Sequence, residues 1–302
     1  VIEQYRPGAM ERLGLSYEQL SEIHPGLIYC SITGYGQTGP LRDRAGHDIN
    51  YLSLSGVMSY SGRKSSGPCL MGIQIADVGS GSNNAVIGIL AALIGRMKTG
   101  KGQHIDISMT DGLFPHHVVS GIRNLVGEEE PGFETELLNG GSFYGFYETS
   151  DGKYISFGGL EPQFLIACLK ALEMEDYIDR LMDPGIQDEV KEKIAQKILT
   201  ETRDHWVKVF ENVDACVEPV LSFSEATKSE HAQARELLVN VPGPDGKPIT
   251  QIGLPIKFSD YSPEYKWAGP SLGKDTMEIV ESLGFSDKEI QQMKSNKIFG
   301  DI

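Results

Sequence analysis

Short apolar runs alternate with turn signals through the first third of the chain. Val1 to Gly8 reads as the tail of a strand followed by a loop. Leu27 to Ile32 is a β-like run after the Pro25-Gly26 turn. Asp48 to Ser55 carries apolar residues at helical spacing. Met71 to Ala76 is a second apolar run, read as a strand that ends at Asp77. The small residues Gly79-Ser80-Gly81-Ser82 follow, and a helix is predicted over Asn83 to Met97, capped by Ser82 or Asn83. Thr99-Gly100-Lys101-Gly102 is its stop signal. Gln103 to Met109 alternates like a strand, with Ile105 and Ile107 on one face.

Beyond residue 111 the pattern changes. Gly112 to Val126 looks like a helical connection, and Glu128 to Gly141 is a loop, acidic first and then glycine-rich. Ser142 to Phe157 carries two β-like runs around an Asp151-Gly152 turn. Residues 161–240 are mostly helical in pattern, and residues 241–247 are rich in turn formers. Helices are predicted over Asp275 to Leu283 and from near Ser286. The expected organisation is an α/β part (1–111), a linker (112–141), a smaller α+β part (142–240) and a segment (241–302) returning to the first part.

Composition narrows the class. Hydrophobic residues make up 40 % and charged residues 23 % of the 302, which indicates a folded chain with a core. The longest apolar run, Ala85 to Ile94, falls short of a bilayer span, so no membrane partner is expected. A net charge of −15 argues against a nucleic-acid partner, which would need a basic face. Cys30, Cys69, Cys168 and Cys216 are scattered without a C-x-x-C, which predicts neither a zinc site nor a disulfide framework and fits a reducing cytoplasm. Because Val1 begins inside a strand-like run, the natural chain is expected to start earlier.

Three residues stand out on chemistry. His47, in Ala45-Gly46-His47-Asp48-Ile49-Asn50-Tyr51, either caps a helix or serves as an acid or base. Asp77, before the Gly-Ser stretch, is a capping carboxylate or else an acid or nucleophile at a strand end. Glu161, after Gly158-Gly159-Leu160, caps the next helix or joins a site. Gly79-x-Gly81 is either a tight turn or an anion contact at a helix start. The adjacent His116 and His117 do not face one another on a helix and are read as structural.

The order and spacing of longer motifs add a family. Glu3-Gln4-Tyr5-Arg6-Pro7-Gly8 with Arg12-Leu13-Gly14-Leu15 resembles a signature of family III CoA transferases and α-methylacyl-CoA racemases. So do Ile32-Thr33-Gly34-Tyr35-Gly36-Gln37-Thr38-Gly39-Pro40 and Thr99-Gly100-Lys101-Gly102-Gln103-His104-Ile105-Asp106. Gly46 to Tyr51, Asp77 and Gly159-Leu160-Glu161-Pro162-Gln163-Phe164 resemble the racemase branch. The pattern departs at Ile73, where racemases usually carry an asparagine.

The resemblance implies a Rossmann-like large domain, its N-terminal part missing here, and a smaller α+β domain in an interlocked homodimer. It implies 1,1-proton transfer on a 2-methylacyl-CoA through an enolate. His47 and Asp77 are then the acid–base pair, with Glu161 orienting the histidine from the second chain. Arg6, Arg12 and Tyr51 would contact CoA, and N–H groups near Asn83 would hold the enolate oxygen. No metal or cofactor beyond the substrate's CoA is implied. The alternative is a CoA transferase that forms an acyl anhydride on Asp77.

Overall fold

A computed structural model describes residues 1–181 and 185–300. It forms two compact units, Val1–Val220 and Leu221–Ile302.

In the first unit, residues 1–111 are built on a parallel sheet. The strands are β1 (Ile2–Glu3), β2 (Ile28–Thr33), a two-residue pair β3 and β4 (Gly62–Arg63, Gly67–Pro68), and β5 (Gln103–Ser108). β2 lies between β1 and β5, parallel to both, with Cys30 opposite Ile105 and Thr33 opposite Ser108. Five of its six residues are buried, as expected of a parallel strand covered on both faces. The helices of this part are α1 (Ala9–Arg12), α2 (Tyr17–Ile23), α3 (Asp48–Leu54) and α4 (Asn83–Thr99). α4 packs on β2 and β5, and Gly100 ends it in the left-handed region at φ 73°.

Two expectations for residues 71–99 need correction. Met71 to Ala76 is not a strand; from Ile75 to Ser82 the chain is π-helical and runs directly into α4. Ser82 has helical dihedrals and provides no side-chain cap. The continuous helix Ile75–Thr99 has 25 residues and is apolar and long enough to cross a membrane by length and composition alone, although no single apolar run in the sequence is. A short, mostly apolar run fits strand and helix equally; here residues 71–74 take neither state, and the contact of Asp48 with Ala76 and Asp77 goes with the helix that starts at Ile75.

Residues 112–141 contain two 3-10 segments, Asp111–Val118 and Gly121–Val126, and then a loop. Pro115 lies inside the first. His117 bonds the Tyr60 hydroxyl at 2.8 Å and the Ser55 carbonyl at 2.8 Å, and His116 is exposed.

The rest of the unit is an antiparallel sheet of β6 (Gly145–Glu148), β7 (Tyr154–Phe157) and β8 (Val217–Pro219), with α5 (Pro162–Ala171), α6 (Ile186–Ile198) and α7 (Arg203–Phe210). The predicted turn joins β6 to β7, with Gly152 at φ 69°. Leu169, Leu172, Val190 and Ile194 form the centre of its core.

The second unit holds α8 (Phe223–Lys228), α9 (Glu230–Ala234), the antiparallel pair β9 (Leu238–Pro242) and β10 (Pro248–Ile252), α10 (Thr276–Ser282) and α11 (Asp287–Ser295). The turn-rich stretch around Gly243 to Lys247 is the hairpin bend, closed by a Gly243 N–H to Lys247 carbonyl bond of 2.7 Å. Ser286 and Glu289 form a capping box at the start of α11.

Candidate active site

The carboxyl end of the parallel sheet opens into a cavity of about 690 Å³. Ile32 to Tyr35, at the end of β2, and Met109, just past β5, form one wall. The two strand ends are tied together, since Met109 N–H donates to Thr33 O at 2.9 Å and Thr110 Oγ1 to Gly34 O at 2.8 Å. Ligand sites in open parallel sheets gather at this edge.

His47 and Asp77 both line the cavity. His47 is the N-cap residue of α3, with extended dihedrals, and its backbone N–H donates to Asn50 Oδ1 at 3.0 Å. That bond fixes the last residue before the helix, so the imidazole leaves the chain at the cavity rim, where it is exposed. Asp77 lies in the first turn of the π-helical segment rather than at a strand end. Its carboxyl is pushed above the ordinary carboxylate range, first by burial and then by the negative charge of Asp48, with His47 pulling the other way. The two candidate groups are therefore electrostatic neighbours. π-helical turns are rare and recur at functional sites.

Tyr51 is buried beneath them. Its hydroxyl donates to Gly46 O at 2.6 Å, and its ring meets Tyr35 edge-on at a centroid distance of 5.3 Å. A side chain on Gly46 would come within 2.6 Å of both the Tyr35 hydroxyl and the Tyr51 ring, so the loop into α3 needs glycine there. Burial is the main cause that raises the Tyr51 hydroxyl's proton affinity, followed by Tyr35, Asp77 and Asp48.

Arg6 lines the cavity, whereas Arg12 and Glu161 do not. Arg12 closes α1 and is exposed. Glu161 is the N-cap residue of α5, as its sequence position predicts, but its side chain makes no capping bond. It lies near Cys216, whose thiol is pushed up by burial, then by Asp214 and Glu161. The N–H groups expected to hold an enolate oxygen near Asn83 are not available at that residue. The helix is continuous there, and Asn83 N–H already bonds Val78 O.

Sequence reasoning missed Arg42, Arg44, Tyr35 and Asp48. Both arginines face the cavity, so a chain of net charge −15 has a basic pocket. Their signal was the Arg42-Asp43-Arg44 run ahead of His47, which net charge conceals.

Comparison with known proteins gives the chain a family. Residues 1–276 match the model of CoA-transferase family III. The chain belongs to this family. Its relatives include both enzyme types. The human alpha-methylacyl-CoA racemase is 36 % identical over 301 residues, covering 99 % of this chain and 78 % of that enzyme. The succinate–glutarate CoA-transferase of Agrobacterium fabrum is 31 % identical, covering 94 % of this chain and 72 % of the transferase. The structure of a CAIB/BAIF family protein from Brucella suis superposes with a TM-score of 0.78 at 26 % identity, over 94 % of this chain and 75 % of that one. This family III chain is thus a mixed α/β protein of the racemase and CoA-transferase superfamily.

Proposed function

We propose that this family III chain is a racemase or epimerase of 2-methylacyl-CoA thioesters. One observation carries the reading: His47 and Asp77 line a single cavity, and Asp77's carboxyl is biased toward its protonated form. A racemase needs one group to take the α-proton and another to return a proton to the enolate from the opposite face. Neutral His47 would take the proton from the α-carbon, and its electron pair would pass to the thioester oxygen. Protonated Asp77 would then give its proton to the α-carbon. In the reverse direction the two exchange roles. The higher identity to the racemase than to the transferase supports the same reading.

Arg6, Arg42 and Arg44 would hold the CoA phosphates through their planar guanidinium groups. Tyr51 lines the same cavity, whereas Arg12, the other residue expected to contact CoA, lies outside its wall. Glu161, absent from the cavity wall of its own chain, would reach His47 from the second chain of an interlocked homodimer.

A CoA transferase is the second reading. It is favoured by Ile73 in place of the racemase asparagine and by the transferase relative. It requires an ionised Asp77 as the nucleophile that takes up the acyl group.

Incubation of the protein with a 2-methylacyl-CoA in heavy water, and in parallel with a second free acid, separates them. Deuterium at the α-carbon is the expected outcome. Transfer of CoA to the added acid without exchange would overturn the racemase reading.

A further inference from the structure

Asp48, next to His47 in the chain, reaches across to the segment that carries Asp77. Its Oδ1 accepts the backbone N–H of Ala76 at 2.6 Å and that of Asp77 at 3.0 Å. These N–H groups belong to the first turn of the π-helical segment and have no carbonyl partner earlier in that helix. One carboxylate oxygen thus closes the helix start, 28 and 29 residues away in sequence, and joins α3 to it. The joint is half-buried, where a charge-assisted bond outweighs a neutral one.

We propose that Asp48 is a positioning residue of this site: its carboxylate clamps the 75–82 segment onto α3, holds Asp77 beside His47, and sets a fixed negative charge behind Asp77. The proposal rests on the acid–base reading of His47 and Asp77. It deepens that reading by giving the raised proton affinity of Asp77 a specific neighbouring charge. The charge of Asp48 disfavours ionisation of Asp77, in addition to the effect of burial, whereas His47 favours it. The remaining groups around Asp77 are accounted for. Arg6, Arg42, Arg44, Tyr35 and Tyr51 share the cavity. On β5, Asp106 accepts the Gln37 N–H at 3.0 Å, and His104 bonds Ser31 Oγ at 2.9 Å. On the 3-10 segment after it, His117 is bonded to Tyr60 and Ser55, while Asp111 and His116 are exposed. α4 carries Arg96 and Lys98 in its last turn, away from Asp77.

Two substitutions separate the clamp from the charge. Asp48→Asn keeps an acceptor oxygen and removes the charge, and Asp48→Ala removes both. Carboxyl carbon NMR of Asp77 should show its titration midpoint falling in Asp48→Asn by at least about half a pH unit. Amide exchange at Ala76 and Asp77 should stay slow in Asp48→Asn and quicken by about tenfold or more in Asp48→Ala. In turnover, the Asp77-dependent limb of the pH profile should move to lower pH in Asp48→Asn, with kcat changing more than KM.

An unchanged or raised Asp77 midpoint in Asp48→Asn would remove the charge role. Unchanged exchange in Asp48→Ala would remove the clamp. Should Asp48→Ala not fold, Asp48→Asn decides the charge role, and Asp48→Ser takes the place of Asp48→Ala in the exchange test, where unchanged protection at Ala76 and Asp77 would remove the clamp. The NMR and exchange measurements need no turnover, so they stand whether the enzyme proves a racemase or a transferase.

Discussion

Two regions of the first unit use their apolar residues in opposite ways. Between Phe143 and Val217, one large cluster of buried side chains forms the core: Leu169, Leu172 and Val190 are fully buried, and Trp206 donates its indole N–H to Ile198 O at 2.7 Å inside it. Around His47 the core is small, with Tyr51, Leu52, Met58, Ala76 and Leu113 at its centre. Beside it, Val86, Ile87, Leu90, Ile94 and Met97 of α4 lie exposed, and the charged residues ring a cavity. The dense region holds its shape through packing. The thin region holds its shape through bonds to single polar groups, such as the carboxylate of Asp48 and the hydroxyl of Tyr51. A site that must admit a ligand and tune a proton cannot also be filled with side chains.

The largest expected effect tests the dense side of this contrast. Leu169→Ala should cost roughly 2–5 kcal/mol, the range for a buried leucine, and lower the unfolding midpoint of the chain. Proton chemistry in the folded fraction should be untouched. Calorimetry with activity normalised to folded protein checks this, and an unchanged midpoint would show that the core is not close-packed.

The converse test lies in the thin region. His47→Ala and Asp77→Ala should each lower turnover by on the order of 10²-fold or more. Their unfolding midpoints should move little, because neither side chain is part of the core. Wild-type rates of α-proton exchange in His47→Ala would take the histidine out of the mechanism.

The smallest effect is a pH dependence. Burial and Asp48 raise the folded-state proton affinity of Asp77 above its unfolded value. Its contribution to stability is therefore fully present below the unfolded value and is lost as pH rises through the folded one. Asp77→Asn cannot ionise, so its unfolding midpoint should exceed that of the wild type at neutral pH, and the gain should fade in acid. A gain that is the same at both would place Asp77 outside a low-dielectric, like-charged setting.

Some of this was legible from the residues in order. Alternation and turn residues located β2, β5 and the β6–β7 hairpin. Helical spacing located α3 and the body of α4, and Ser286 marked the start of α11. The Gly46 to Tyr51 motif and Asp77 pointed to one site through their family resemblance, and the cavity contains both candidate groups.

What the sequence by itself determined was the class of fold, the family and the two candidate residues, His47 and Asp77, that one cavity contains, because each depends on local spacing or on a motif. Tertiary structure decided the rest. Met71 to Ala76 could not be told from a strand, since a short, mostly apolar run suits either state and Ala76 is held at the helix start by a carboxylate 28 residues upstream. Arg42 and Arg44 were hidden in an acidic chain, because net charge sums over the whole surface while a pocket depends only on the groups that face it. The protonation bias of Asp77 was equally invisible, because burial and the nearness of Asp48 exist only once α3 and the 75–82 segment have met.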